Sequence, residues 1–133
     1  MLKQIVVDIE TAKRLRRVGF REPCLSWYNL NGQLCNADCE DATLRDMNSP
    51  KETRGRGPRC YSAPTLSAVQ EWLRRKKHYE ILVCRDYFFQ DAGRYYCRII
   101  RLIDNLCRET KPHRTYEQAL SDGIKQIINI LNV

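Results

Sequence analysis

The sequence predicts an α+β domain, three helices packed on a small, mainly antiparallel sheet. Three observations carry that expectation. Tyr116, Leu120, Ile124, Ile127, Ile128 and Leu131 recur at helical spacing. Two β-branched and aromatic runs, 79–89 and 94–103, flank Gln90-Asp91-Ala92-Gly93 in the manner of an antiparallel hairpin. A chain of 133 residues buries about 68% of its unfolded surface, enough for one core without a disulfide scaffold. The expected organisation is one domain over 1–133, with a long polar loop at about 36–60.

In chain order, 5–9 reads as an edge strand or an N-terminal lead-in. Thr11 reads as the N-cap of a first helix with Ala12, Leu15 and Val18 on its apolar face and Lys13, Arg14, Arg16 and Arg17 around the rest. Gly19 stops it in the left-handed conformation, with Phe20 folding back on Leu15 as in a Schellman motif, and Pro23 confirms the break. Residues 24–30 are strand-like, and Asn31-Gly32 signals a type I′ turn that returns 33–35 antiparallel.

Residues 36–58 change character, acidic early (Asp38, Glu40, Asp41, Asp46) and basic later (Lys51, Arg54, Arg56), with Arg59 following directly. So long a polar stretch inside a compact domain marks a functional loop, an insertion or an element hidden from pattern reading, and 42–47 is long enough for one helical turn. Thr65 caps a second helix after Ala63-Pro64, with Leu66, Val69, Trp72 and Leu73 as its apolar stripe and Arg74, Arg75, Lys76 and Lys77 at its C-terminal end. In the hairpin that follows, Arg98 and Arg101 fall on opposite faces, which requires a bulge near Ile99-Ile100 or a face open to water. A third short strand fits around Leu106-Cys107. The last helix opens on the capping box Thr115-x-x-Gln118, and Gly123 interrupts its apolar face where another element can approach closely.

The seven cysteines form no CxxC pair. Cys35-x3-Cys39 with Cys60, and His78 or His113 as a fourth ligand, is the nearest approach to a zinc set, while Cys24, Cys84 and Cys97 read as small core hydrophobes. The start of the chain lacks a signal-like apolar region, and no run of eighteen apolar residues occurs, so a cytoplasmic protein without a membrane partner is expected. A reducing compartment disfavours disulfides.

Net charge is +7, and residues 51–78 hold eight Lys or Arg against two Asp or Glu, nearly the whole excess. Arg54, Arg56, Arg59, Arg74, Arg75, Lys76 and Lys77 are therefore the candidate polyanion-binding surface. Tyr87-Phe88-Phe89 with Tyr95-Tyr96 could stack bases, although cross-strand packing is the commoner use of such aromatics. No nucleophile elbow, P-loop or HExxH pattern occurs. A Cys-His pair built from Cys60 or Cys107 with a histidine is the remaining catalytic constellation, and Asp38, Glu40 and Asp41 lack calcium-loop spacing.

Gly19-Phe20 with Glu22-Pro23-Cys24, Tyr61-Ser62-Ala63-Pro64-Thr65 leading into Trp72-Leu73-Arg74, and Thr115-Tyr116-Glu117-Gln118-Ala119-Leu120 with Gly123-Ile124 span most of the chain. In these segments it resembles a family of small uncharacterised proteins encoded in prophages and mobile elements of gut anaerobic bacteria. The resemblance implies an origin and a fold, not a mechanism, and the basic, cysteine-rich loop from Cys35 to Cys60 departs from the family pattern. The expected function is a non-enzymatic accessory or protein-interaction module of a mobile element, without cofactor or metal; the alternative is a nucleic-acid-binding protein using the basic segment 51–78.

Overall fold

The computed structural model describes residues 5–36, 47–48, 60–86 and 93–132. The α+β class holds: among the described residues there are three helices, and the strands are shared between two three-stranded antiparallel sheets instead of one. The chain divides into two compact units, one up to Thr65 and the other from Leu66 to Leu131.

In the first unit, helix α1 (Ile9–Arg17) is capped by Asp8 and not by Thr11: Asp8 Oδ1 accepts the Thr11 amide at 2.8 Å, and Thr11 itself is buried. Aspartate three residues ahead of a free amide satisfies it and places a negative charge at the positive helix end. The far end is the Schellman motif expected. Gly19, at φ +93°, donates to Arg16 O at 3.2 Å, and Phe20, buried, donates to Leu15 O at 3.0 Å. The lead-in forms no strand beyond a single bridge, Val6 to Thr65, reinforced by the Val7 amide on Pro64 O at 3.0 Å.

Strand β1 (Ser26–Asn29) pairs with β2 (Leu34–Asn36) and, on its other side, with β3 (Cys60–Ser62). The turn between β1 and β2 is not type I′. That type needs positive φ at both central residues, whereas Gly32 has φ +80° and Asn31 does not, and the closing bond runs from the Gly32 amide to Asn29 O at 3.0 Å. Asn29 Oδ1 accepts the amides of Asn31 and Gln33, at 2.9 and 3.0 Å, which fixes the longer turn. Strand β3, which pattern reading did not anticipate, begins just after the polar stretch. It is held by Asn48, a buried side chain that donates to Phe20 O at 2.8 Å and accepts the Ser62 amide at 3.1 Å. The helical turn expected over 42–47 lies outside the described residues save for Met47.

In the second unit, α2 (Leu66–Lys77) buries the expected Leu66, Val69, Trp72 and Leu73, and ends at His78, whose φ of 61° turns the chain into β4 (Tyr79–Arg85). Strand β4 pairs in unbroken register with β5 (Tyr95–Arg101), which pairs with β6 (Leu106–Glu109). No bulge lies at Ile99-Ile100; Arg98 stands on the open outer face, whereas Arg101 falls on the inner side at the very end of β5, where it pairs with Asp104. Tyr79, Ile81, Cys97 and Ile99 are buried on the inner face, under α2 and α3 (Tyr116–Leu131), while Leu82, Arg98 and Ile100 alternate onto the outer face. An extra residue does occur further on. Cys97 bonds to Thr110 and Tyr95 to His113, so Lys111 and Pro112 together face Tyr96, a bulge at which proline's missing N–H costs no ladder bond.

Helix α3 begins as its capping box requires, Thr115 Oγ1 accepting the Gln118 amide at 3.1 Å. Gly123 lies where the helix meets the sheet: a Cβ there would stand 3.2 Å from Cys97 Cβ, Cys97 Sγ and Ile81 Cγ2. Both neighbours are fully buried and cannot swing aside. Gly123→Val is expected to destabilise the protein by about 2 kcal/mol through overpacking, and Gly123→Ala to gain none of the usual roughly 1 kcal/mol of helix propensity. Thermal denaturation reads both. Asn48→Ala, which strands a buried amide and a buried carbonyl, is expected to cost about 2 kcal/mol in chemical denaturation.

Candidate interaction surface

The polyanion-binding residues expected from sequence fall in two places. Arg54, Arg56 and Arg59 lie outside the described residues. Arg74 and Arg75 are drawn into ion pairs, with Glu80 at 3.5 Å and Glu71 at 3.0 Å, and Lys77 Nζ sits 5.6 Å from the Trp72 ring centre. Lys76 is exposed on the last turn. Surface pairs of this kind contribute little to stability, yet they halve the net charge the helix end presents. In the first unit, Lys13 and Arg16 lie 5.9 and 6.0 Å from the Tyr61 ring centre, and Arg16 also donates to Cys60 O at 3.4 Å. Cation–π contact with a strand residue thus engages two of the four cations of α1.

The aromatics do not form one platform. Tyr95 and Tyr96 point to opposite faces of the sheet: Tyr95 meets Tyr116 edge-on at 6.2 Å and Arg85 at 5.7 Å, whereas Tyr96 lies opposite Cys84 on the outer face. Residues 87–89 lie outside the described residues.

Of the metal-ligand candidates, Cys35 and Cys60 occupy the outer strands of the first sheet, with β1 between them and their backbones about 10 Å or more apart at normal strand spacing. Each thiol is turned to a main-chain carbonyl, Cys35 to Gln33 O at 3.7 Å and buried Cys60 to Met47 O at 3.4 Å. Cys39, with Asp38, Glu40 and Asp41, lies outside the described residues. Among the described residues no three His, Cys, Asp or Glu side chains converge.

His113 is held on both sides. Its backbone exchanges two bonds with Tyr95, and Nε2 lies 2.7 Å from Asp122 Oδ2, while Asp122 Oδ1 accepts from Gln126 at 3.2 Å. Because His113 stands opposite Tyr95 on the inner face and Cys107 stands opposite Ile100 on the outer face, the sheet separates this histidine from one of the two thiols that the sequence offers for a Cys-His pair. The inner-face thiol is Cys97. It donates to Ala119 O at 2.9 Å, and burial with the nearby Asp122 carboxylate pushes its pKa from 9.0 up to about 12. A nucleophilic cysteine needs the opposite shift.

The surface that sequence reading missed is the edge of the second sheet. Hydrogen-bonded pairs alternate along an antiparallel ladder, and the Thr110 amide on Cys97 O at 2.9 Å sets the phase. Arg108 and Leu106 therefore bond to β5, and the main-chain groups of Cys107 and Glu109 point away from the sheet. All four residues of β6 are exposed, Leu106 at 59%, and beside them stands Ile103, 82% exposed. The opposite edge is treated differently: the outward carbonyl of Ile81 on β4 accepts a bond from Gln70 Nε2 of α2 at 2.8 Å. One outward carbonyl of β4 is thus met by a helix side chain, while among the described residues no other strand pairs with the outward side of β6.

Neither a family model, a curated protein nor a solved structure matches the chain. Among the described residues no helix is long and apolar enough to cross a membrane.

The raised Cys97 pKa has a sign that can be worked through. Above pH 9 the unfolded chain releases this proton while the folded protein keeps it, so stability is complete below pH 9 and declines as pH rises toward 12. The limiting slope is about 1.4 kcal/mol per pH unit. Cys97→Ser, which keeps a hydroxyl donor for Ala119 O without titrating in this window, is expected to remove that component from denaturation curves measured between pH 8 and pH 11.

Proposed function

We propose that the protein is a small, non-enzymatic interaction module that acts through protein contacts, as the accessory proteins of prophages and mobile elements do. The observation that carries this reading is the outward main chain of Cys107 and Glu109 on β6, which no other strand pairs among the described residues and beside which Leu106 and Ile103 are exposed. Two further features support it. The inner-face thiol is held protonated, and His113 is tied to Asp122 and to the Tyr95 backbone, so these groups serve packing and orientation. The cations of α2 are partly neutralised by Glu71 and Glu80, which weakens the competing nucleic-acid reading based on residues 51–78.

Affinity capture with the full chain, with and without nuclease treatment, tests the proposal. Protein partners that survive nuclease and persist as salt is raised are expected. Recovery of nucleic acid alone, with binding that falls steeply with salt and is abolished when Arg54, Arg56 and Arg59 are changed to Ala, would replace this reading with the nucleic-acid one.

A further inference from the structure

We infer that β6 takes up an extended, acidic segment of a partner protein as an added fourth strand of the β4–β5–β6 sheet. The inference rests on the protein-interaction reading above and specifies its occupant. Four observations lead to it. The outward N–H and C=O groups of Cys107 and Glu109 offer a strand two ready pairing positions two residues apart, the spacing of a ladder. The flank is basic: Arg108, Lys111 and Arg114 are exposed and make no ion pair among the described residues, whereas the carboxylate of Glu109 is already matched to Arg98 at 3.2 Å and that of Asp104 to Arg101. Ile103 and Leu106 place apolar surface at one end of the strip, so a segment with an apolar residue beside its carboxylates fits better than a purely charged one.

The fourth observation excludes a second copy as the favoured occupant. In the register that uses both outward positions, Cys107 of one copy faces Glu109 of the other and the two Arg108 side chains meet across the two-fold axis, like charges directly opposite each other. Sliding the strands one way brings Asn105 into the ladder, and its φ of 60° is not extended backbone; sliding them the other way sets the two Glu109 side chains directly opposite each other. Arg108 thus disfavours self-pairing and favours a carboxylate at the facing position of a different strand.

The alternation also supplies the variants. Proline at 107 removes an outward N–H and leaves the bonds of Leu106 and Arg108 to β5 in place, a substitution tolerated on an edge strand. The test titrates the isotope-labelled full chain with a synthetic peptide of alternating Val and Glu, and with the same peptide carrying Lys for Glu, following backbone amide shifts. Expected are shifts centred on Cys107 and Glu109 with the Glu peptide, at least ten-fold weaker binding of the Lys peptide and of the Glu peptide to Arg108→Glu, and loss of binding in Cys107→Pro. Arg108→Glu provides the same comparison should the proline variant fold poorly. Several results would overturn the inference: equal binding of the two peptides, shifts lying elsewhere, or no shift at millimolar peptide. So would dimerisation of the free chain through β6, or a stronger response of the same amides to a single-stranded oligonucleotide than to the Glu peptide. A protein partner captured equally by the parent chain and by Cys107→Pro would leave the interaction module standing and remove strand addition.

Discussion

The second unit depends on how closely α3 lies against its sheet. At Gly123 the helix backbone comes within what a Cβ would need of Cys97 and Ile81, and the Cys97 thiol closes the contact by donating to Ala119 one turn earlier. Packing at this density leaves no room for water or for a charged form of the thiol, which is why its pKa rises. Everything on the inner face follows from that approach: Leu120, Ile124, Ile127 and Ile128 of α3 and the stripe of α2 are buried, and Tyr79, Ile81 and Ile99 are sealed beneath them.

A sheet covered on one face must present its other face and its edges to solvent. The outer face is made tolerable by charge, with Arg98 paired to Glu109 across the strands and Glu80 reached by Arg74. On the β4 edge the outward Ile81 carbonyl is met by Gln70. No comparable device covers β6 among the described residues, and the bulge at Lys111 and Pro112 bends the chain away only after Thr110. An exposed strand that carries Leu106 and adjoins Ile103 is an aggregation hazard in an ordinary monomer, and a basic flank is one means of keeping identical copies apart. The same flank selects what can bind there.

Local signals were legible in the sequence wherever one residue does one job. Gly19 at the end of α1, the capping residue Thr115, the apolar stripe of α2 and the close approach at Gly123 each follow from stereochemistry within a turn or two. The choice of Asp8 over Thr11 as cap was harder to read, because both residues can accept at that distance and tertiary burial of Thr11 decides. Strand β3 was not legible: three residues become a strand because Asn48 and β1 hold them, and neither partner is near in sequence. The bare edge was invisible for a related reason, since which amides of 106–109 point outward depends on the phase set by Cys97 and Thr110.

That phase is also what the proposed surface stands on, and amide hydrogen exchange of the free chain measures it residue by residue. Slow exchange at Arg108 and Thr110 with fast exchange at Cys107 and Glu109 is the result expected of a paired strand with one bare side. Uniform fast exchange would mean that β6 is not held on the sheet, and uniform slow exchange would mean that its edge is already covered; either result contradicts a bare edge as the docking element.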